Sequence, residues 1–169
     1  VTYGQYLLLI HPSVKADNLK SFIELAKARS APINYSSAGM GSPSNLAMEL
    51  FRMRAGLNMT HIPYKGMGAA YTDLISGQVQ ASFPAAISSM AHITAGRLRA
   101  IGVTTPKRMS VLPNTPTFVE AGYDSMIVLN WYSLIAPPKM PAALTEQIAS
   151  ETRKAVRSPE MAKSLVAEG

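Results

Sequence analysis

An α/β fold with a largely parallel or mixed sheet is the class this sequence predicts. Three observations carry it. Apolar runs of strand length alternate with segments whose apolar residues recur at helical spacing. Glycines stand just past the helical segments, at Gly56, Gly77, Gly96 and Gly122, where a left-handed closing residue is favoured. Hydrophobic residues make up 47% of the 169 residues and charged ones only 15%, enough for a real core and too apolar for a disordered chain.

The elements follow in order. Tyr6 to Ile10 reads as a buried strand, stopped by Pro12. Asp17 is expected to cap a helix with Leu19, Phe22, Ile23 and Ala26 on its apolar face, ended by Pro32. Ile33 to Ser36 is a short strand. Pro43 to Ala55 is a helix with Leu46, Ala47, Leu50 and Phe51 on one side. Asn58 to Tyr64 is a strand, Gly66 to Gly68 a turn, and Ala69 to Ser76 a short helix. Val79 to Phe83 is the next strand, and Pro84 opens a helix to about Ala95. Leu98 to Thr104 is a strong strand. An irregular loop, Arg108 to Pro116, leads to a short helix, Thr117 to Ala121. Ser125 to Ala136 is a long extended run, broken by Pro137, Pro138 and Pro141. A stripe of Leu144, Ile148, Thr152 and Val156 marks a long amphipathic helix, and Pro159 starts a last one. The one plausible boundary lies between Asn130 and Pro141.

Composition narrows the function. The net charge is +6, but Lys and Arg are scattered and aromatics make up 7%, so a nucleic-acid face is not expected. A general attraction for small anions is the milder reading. No cysteine is present, which excludes disulfides and thiolate metal sites. No apolar run reaches the roughly 18 residues of a membrane span. The abrupt start at Val1-Thr2-Tyr3, without a signal peptide, and the abrupt end at Gly169 predict a fragment of a longer chain.

Asn34 to Ser44 carries the clearest chemistry. A strand feeds a loop containing Gly39 and Gly41, and Ser42 and Pro43 suit the N-cap and first helical positions. A row of free N–H groups at the positive end of a helix is expected there, a place that holds an anion; taken alone, the loop could equally be only a tight strand-to-helix turn. Ligands of open α/β sheets bind where strand ends meet helix starts. Three such turns are predicted: Ser37 to Ser44, Tyr64 to Ala69, and Phe83 to Ala86. They offer small residues and backbone N–H groups, no carboxylate, and Lys65 as their only charge.

Catalytic groups are scarce. His11, His61 and His92 pair with no nucleophile in sequence, and no zinc or EF-hand spacing occurs. Asp73, Glu49, Glu120 and Asp124 read as solvated or capping carboxylates. The third glycine and the following acid of a dinucleotide fingerprint are missing, as is a Walker lysine. Lys65 either meets an acidic ligand or is solvated at its turn, and Tyr64 either presents its hydroxyl or packs. Trp131 reads as a packing anchor before a ligand stacker.

The ordered series Asn34-Tyr35-Ser36-Ser37-Ala38-Gly39-Met40-Gly41-Ser42, His61-Ile62-Pro63-Tyr64-Lys65-Gly66 and Asp73-Leu74-Ile75-Ser76-Gly77-Gln78-Val79 runs on along the chain. It continues through Ala95-Gly96-Arg97-Leu98-Arg99-Ala100, Val103-Thr104, Arg108, Pro113-Asn114-Thr115-Pro116-Thr117 and Glu120-Ala121-Gly122-Tyr123 to Trp131 and Ala136-Pro137-Pro138. This series resembles the Bug-type periplasmic solute receptors of tripartite tricarboxylate transporters.

The resemblance implies a periplasmic-binding-protein-like fold of the Venus flytrap kind (type II): one ligand-binding lobe plus part of the second. On it, residues 1–14 would end the first lobe and include a crossing strand, 15–128 would form the second lobe, and 129–169 would return to the first. Tyr6 to Ile10 and Asn130 to Ala136 would be the crossing strands. The resemblance also implies a small carboxylate ligand, membrane permease partners, a periplasmic location, and neither cofactor, metal nor catalytic residue. The implied ligand-binding residues are Ala38, Gly39, Met40, Gly41, Ser42, Ser44, Tyr64, Lys65, Gly66, Ala69, Pro84 and Ala85. The alternative is an enzyme acting on a phosphorylated or acidic metabolite held at the same glycine loop.

Departures from the family pattern are specific. On the resemblance, the first-lobe proline-glycine loop, most of that lobe and the last piece of the C-terminus are expected to lie outside this chain. Asn45 stands where a histidine is common. Pro84 and Ala85 stand where polar residues are often found, which implies a less polar ligand tail. With one jaw alone, the isolated chain is expected to bind carboxylates no better than millimolar.

Overall fold

A computed structural model describes residues 2–168. The chain enters as β1 (Thr2–Gln5) and, after a break at Tyr6, continues as β2 (Leu7–Ile10). The expected single strand from Tyr6 is thus two strands in different sheets. Leu7–Ile10 is wholly buried because both its faces are covered: Leu7 and Leu9 join one apolar cluster, Leu8 and Ile10 the other.

Around β2 the chain builds a five-stranded mixed sheet. Its other strands are β3 (Ile33–Ser37), β4 (Met59–Pro63), β5 (Ala81–Ser82) and β6 (Arg99–Val103), in the order β4-β3-β5-β2-β6. β3 runs parallel to β4 and β5, and β2 runs antiparallel to β5 and β6. The seventh strand, β7 (Leu129–Tyr132), lies outside that sheet and pairs only with β1, antiparallel, as a separate ribbon. Residues 7–10 therefore lie inside the large sheet, and β1, not Tyr6 to Ile10, pairs with the returning strand.

Helices cover both faces. α1 (Leu19–Ala28) and α2 (Pro43–Ala55) bury Phe22 and Phe51 against the face that carries Ile33 and Tyr35. α3 (Met67–Ile75) and α4 (Met90–Thr94) cover the other face through Tyr71, Leu74 and Ile93. α5 (Ala142–Val156) and α6 (Pro159–Glu168) follow β7.

Several expected elements differ. The cap of α1 is Asn18, whose side chain accepts from the Ser21 N–H at 2.9 Å while the Ser21 hydroxyl accepts from the Asn18 N–H at 3.1 Å. Asp17 instead meets Arg99 at 2.8 Å. On α2, Leu46 faces solvent and Met48 is buried, one residue off the expected stripe. The helix expected from Pro84 to Ala95 is split into a 3₁₀ turn (Ala86–Ser88) and α4. The Ser88 and Ser89 hydroxyls both donate to the Ala85 carbonyl, competing with the regular ladder. Thr117 to Ala121 forms turns rather than a helix, closed by Glu120 accepting from the Thr117 N–H at 3.1 Å. The long extended run shrinks to β7, preceded by a 3₁₀ turn at Asp124–Met126. Trp131 is 61% exposed, so it does not anchor packing here.

The α1 cap gives a first expected result. Asn18→Ala removes the side-chain half of the reciprocal bond, Asn18 Oδ1 accepting from the Ser21 N–H, and should cost about 1 kcal/mol in urea unfolding, with the denaturant slope unchanged. Asp17→Ala, on a 92% exposed side chain, should change stability by less than about 0.5 kcal/mol.

Candidate functional site

The parallel trio β4-β3-β5 fixes where the three predicted turns emerge. Ser37 pairs with Pro63 and Ser36 with Ser82, so the strands end level and their following loops leave one edge of the sheet.

The first loop is closed on itself. Gly39 and Gly41 hold φ values of 131° and 72°, a region that side chains with a Cβ rarely enter. The Ala38 N–H donates to the Ser44 hydroxyl at 3.1 Å, Gly39 to the Ser37 hydroxyl at 3.1 Å, and Gly41 to Asn45 Oδ1 at 3.0 Å. Ser42 donates to the Gly39 carbonyl at 3.2 Å, and its hydroxyl caps α2 through the Asn45 N–H. The expected row of free N–H groups is therefore largely spent inside the loop. Three short polar side chains, Ser37, Ser44 and Asn45, reach the donors first. Of residues 38–44, only Met40 and Ser44 carry an N–H without an acceptor among the described residues.

The second turn is open. The Tyr64 N–H donates to the Ser37 carbonyl and the Gly66 N–H to the Ala38 carbonyl, each at 3.2 Å, which binds this turn edge-on to the first. Gly66, at φ 108°, is the N-cap of α3 and provides no side-chain bond. The N–H groups of Met67, Gly68 and Ala69 thus have no acceptor among the described residues, at the positive end of that helix. Lys65 and Ala69 are exposed beside them. The Tyr64 hydroxyl points the other way and donates to Asp73 at 2.6 Å. Burial, then the Asp73 bond, pushes the Tyr64 pKa up to about 12, so this hydroxyl stays protonated and committed. Asp73 is accordingly a partner of Tyr64 rather than a solvated carboxylate.

The third turn contributes a wall. The Pro84 carbonyl accepts from the Leu7 N–H at 2.9 Å, and Ala85 bridges to Tyr6. Pro84 is buried and Ala85 half-buried, so Pro84 offers little surface of its own.

Behind the first loop runs a polar network that the sequence reading missed. Glu49 accepts two bonds from Arg52 Nε and one from Arg52 Nη2, and also the Tyr35 hydroxyl at 2.5 Å. Asn45 Nδ2 donates to the Tyr35 hydroxyl at 3.0 Å and faces His61 Nδ1 at 3.4 Å. His61 Nε2 meets the Ser37 hydroxyl at 2.6 Å, with its ring stacked on Tyr35 at 4.8 Å. Burial first, then Glu49, raises the Tyr35 pKa. The Arg52 bond holds Glu49 below its usual range, and burial lowers His61 against the upward pull of Glu49. The signal was available in spacing. Asn45, Glu49 and Arg52 share one face of α2, Tyr35 and Ser37 share one face of β3, and His61 pairs with Tyr35 on β4.

The expectation that no histidine pairs with a nucleophile is corrected by the Ser37–His61 contact. Ser37 is nonetheless fully buried, and its hydroxyl proton is given to the Gly39 carbonyl at 3.0 Å. It has neither access nor a free proton for attack. Among the described residues, no cluster of three or more His, Asp or Glu could hold a metal, and no helix is long and apolar enough to cross a membrane.

The family described as "Tripartite tricarboxylate transporter family receptor" matches residues 1–169. Protein BugT of Bordetella pertussis (strain Tohama I) is 30% identical over 163 residues, 96% of this chain and 50% of that protein. An R. palustris protein solved with adipate superposes with a TM-score of 0.94 at 27% identity, covering 100% of this chain and 56% of the other. The periplasmic binding protein BugD superposes at 0.92 with 26% identity, over 98% of this chain and 56% of that one. The chain spans about half the length of the curated relatives it matches.

Proposed function

For a chain that belongs to the tripartite tricarboxylate transporter receptor family, we propose the role of an extracytoplasmic receptor that binds a small carboxylate and hands it to a membrane permease. One observation carries this reading: the uncapped N-terminus of α3, tied by two backbone hydrogen bonds to the glycine loop at one sheet edge. The related R. palustris protein was solved with adipate, a dicarboxylate, which agrees in ligand class.

In this reading the grip is made mainly by backbone. The N–H groups at Met40, Ser44 and Ala69 face the carboxylate, with Lys65 adding charge from the rim. Gly39, Gly41 and Gly66 shape the backbone, and Ala38, Ser42, Tyr64, Pro84 and Ala85 form its supporting wall. Hydrogen bonds to a charged group contribute about 1.5–3 kcal/mol each, so a few such donors reach the roughly 8 kcal/mol of micromolar binding. The net charge of +6 favours the approach of anions. The large sheet and its four helices act as one jaw, and the β1–β7 ribbon is where this jaw swings against a second lobe. The site lies in the periplasm in this reading.

Thermal shift on the complete protein tests the proposal. Adipate, succinate and citrate are screened against 1,6-diaminohexane and glucose 6-phosphate. A carboxylate at a hundredfold its Kd should add about 2.7 kcal/mol of stability. A response to the phosphate ester alone would overturn the receptor reading in favour of an enzyme.

A further inference from the structure

We infer that His61 is a positioning residue for the glycine loop, holding it only as a neutral imidazole with its proton on Nε2, so that acidification loosens the ligand edge. Hydrogen-bond direction carries the argument. Asn45 Oδ1 accepts from the Gly41 N–H, so Asn45 turns its NH₂ to His61 Nδ1, and the Ser37 hydroxyl, 2.6 Å from Nε2, has the Gly39 carbonyl at 3.0 Å to take its own proton. Nε2 must therefore carry the proton, and Nδ1 is left with a lone pair. Asn45 faces that lone pair with Nδ2, because its Oδ1 is held by the Gly41 N–H, which can only donate.

The chain of donors then runs one way. Asn45 gives one proton to Tyr35 and one to His61, His61 gives to Ser37, and Ser37 gives to Gly39. A second proton on His61 puts Nδ1–H against the Asn45 NH₂, donor against donor. Flipping the amide does not help, because Oδ1 then leaves the Gly41 N–H and Nδ2 meets it instead. Either way the support of the loop loses one bond: the Asn45–His61 contact if the amide stays, or the Gly41 tie if it flips.

The charged or titratable groups facing His61 are Tyr35 from β3 and Glu49, itself paired with Arg52, from α2; its own strand, Met59–Pro63, carries no other. Burial lowers the ring's pKa below 6.5 and Glu49 opposes it in part. The unfolded chain then takes up the proton first. The contribution is whole above pH 6.5 and declines as pH falls from there toward the lower folded value. His92 shifts the same way, through burial and Arg97, and adds a slope that does not involve the loop.

The effect on ligand rests on the carboxylate reading above; the effect on the loop does not. In the complete protein, imidazole ¹⁵N shifts at pH 7.5 should give the Nε2–H tautomer for His61. Amide exchange at Gly39 and Gly41, corrected for intrinsic rates, should accelerate between pH 7.5 and 5. Adipate affinity should fall in step, by at most about tenfold per pH unit below the ring's pKa, the limit for one linked proton. His61→Gln keeps a donor and an acceptor without titrating and should flatten both profiles. Asn45→Asp supplies an acceptor for protonated Nδ1 and should reverse the exchange profile. An Nδ1–H tautomer, or an unchanged acid profile in His61→Gln, overturns the inference. If adipate fails to bind at any pH, the receptor reading falls and the exchange profiles still decide the role of His61.

Discussion

Phe51→Ala is expected to lower the unfolding free energy by about 3–5 kcal/mol, a large share of the roughly 5–15 kcal/mol that a domain has. The ring is wholly buried on α2. It stacks with Phe22 at 6.5 Å and meets Phe118 and Tyr123 edge-on at 5.0 and 5.9 Å. Those partners come from α1 and from the loop after β6, so one side chain joins three separate stretches of chain. Its removal forfeits both the transfer energy of the ring and the contacts lining the cavity left behind. Urea unfolding followed by circular dichroism measures the loss. Leu46→Ala, on the exposed side of the same helix, should stay within about 0.5 kcal/mol. A loss below about 1 kcal/mol for Phe51→Ala would show that the aromatic cluster repacks freely.

Gly39→Val should abolish carboxylate binding while leaving the sheet folded. A Cβ at this residue would sit 3.2 Å from the Tyr64 carbonyl oxygen, and the φ of 131° is one that a β-branched residue does not adopt. The strain amounts to about 1–3 kcal/mol if the loop holds its shape. Relief requires the loop to move away from Tyr64, which opens the bonds from Tyr64 and Gly66 that join the two turns. Calorimetry with adipate on the complete protein should show no heat of binding, with near-native circular dichroism. Gly41→Ala is the informative comparison. Its Cβ meets nothing within 4 Å, so only the φ of 72° opposes it, and a smaller loss of affinity is expected. Equal affinity in Gly39→Val and wild type would remove this loop from the site.

Much of the architecture was legible in the sequence, for local reasons. α2 begins at Pro43 and ends at Ala55 as expected, because the Ser42 cap, Pro43 and Gly56 set its limits within the segment itself. α5 was readable from its apolar stripe after Pro141, and the start of α6 from Pro159. The failures have non-local causes. Ala81–Ser82 is short because its neighbours β3 and β2 determine how much of the run can pair. Thr117 to Ala121 had helix-like composition, but Arg108 and Glu120 fold it into turns across a gap of twelve positions. In the candidate site, the glycines and the turns were visible, whereas the openness of each helix start was not. Ser42 advertised α2 as an anion site, and the same cap chemistry closed it. Gly66, which advertises nothing, leaves α3 open. The network from Arg52 to Ser37 was missed because its members, each readable as a shared face, are spread over two strands and a helix whose pairing the spacing alone does not give.

The pairing of Gln5 with Leu129 has a consequence for engineering. Residues 6–128 enter and leave through two adjacent antiparallel strands, whose paired Cα atoms lie about 5 Å apart. This segment thereby has the topology of a cassette, with both ends at one port. Such a port accepts exchange between relatives without any change of linker length. A chimaera joined at residues 5 and 129 would take residues 6–128, with α3, from one parent and the β1–β7 ribbon from the other.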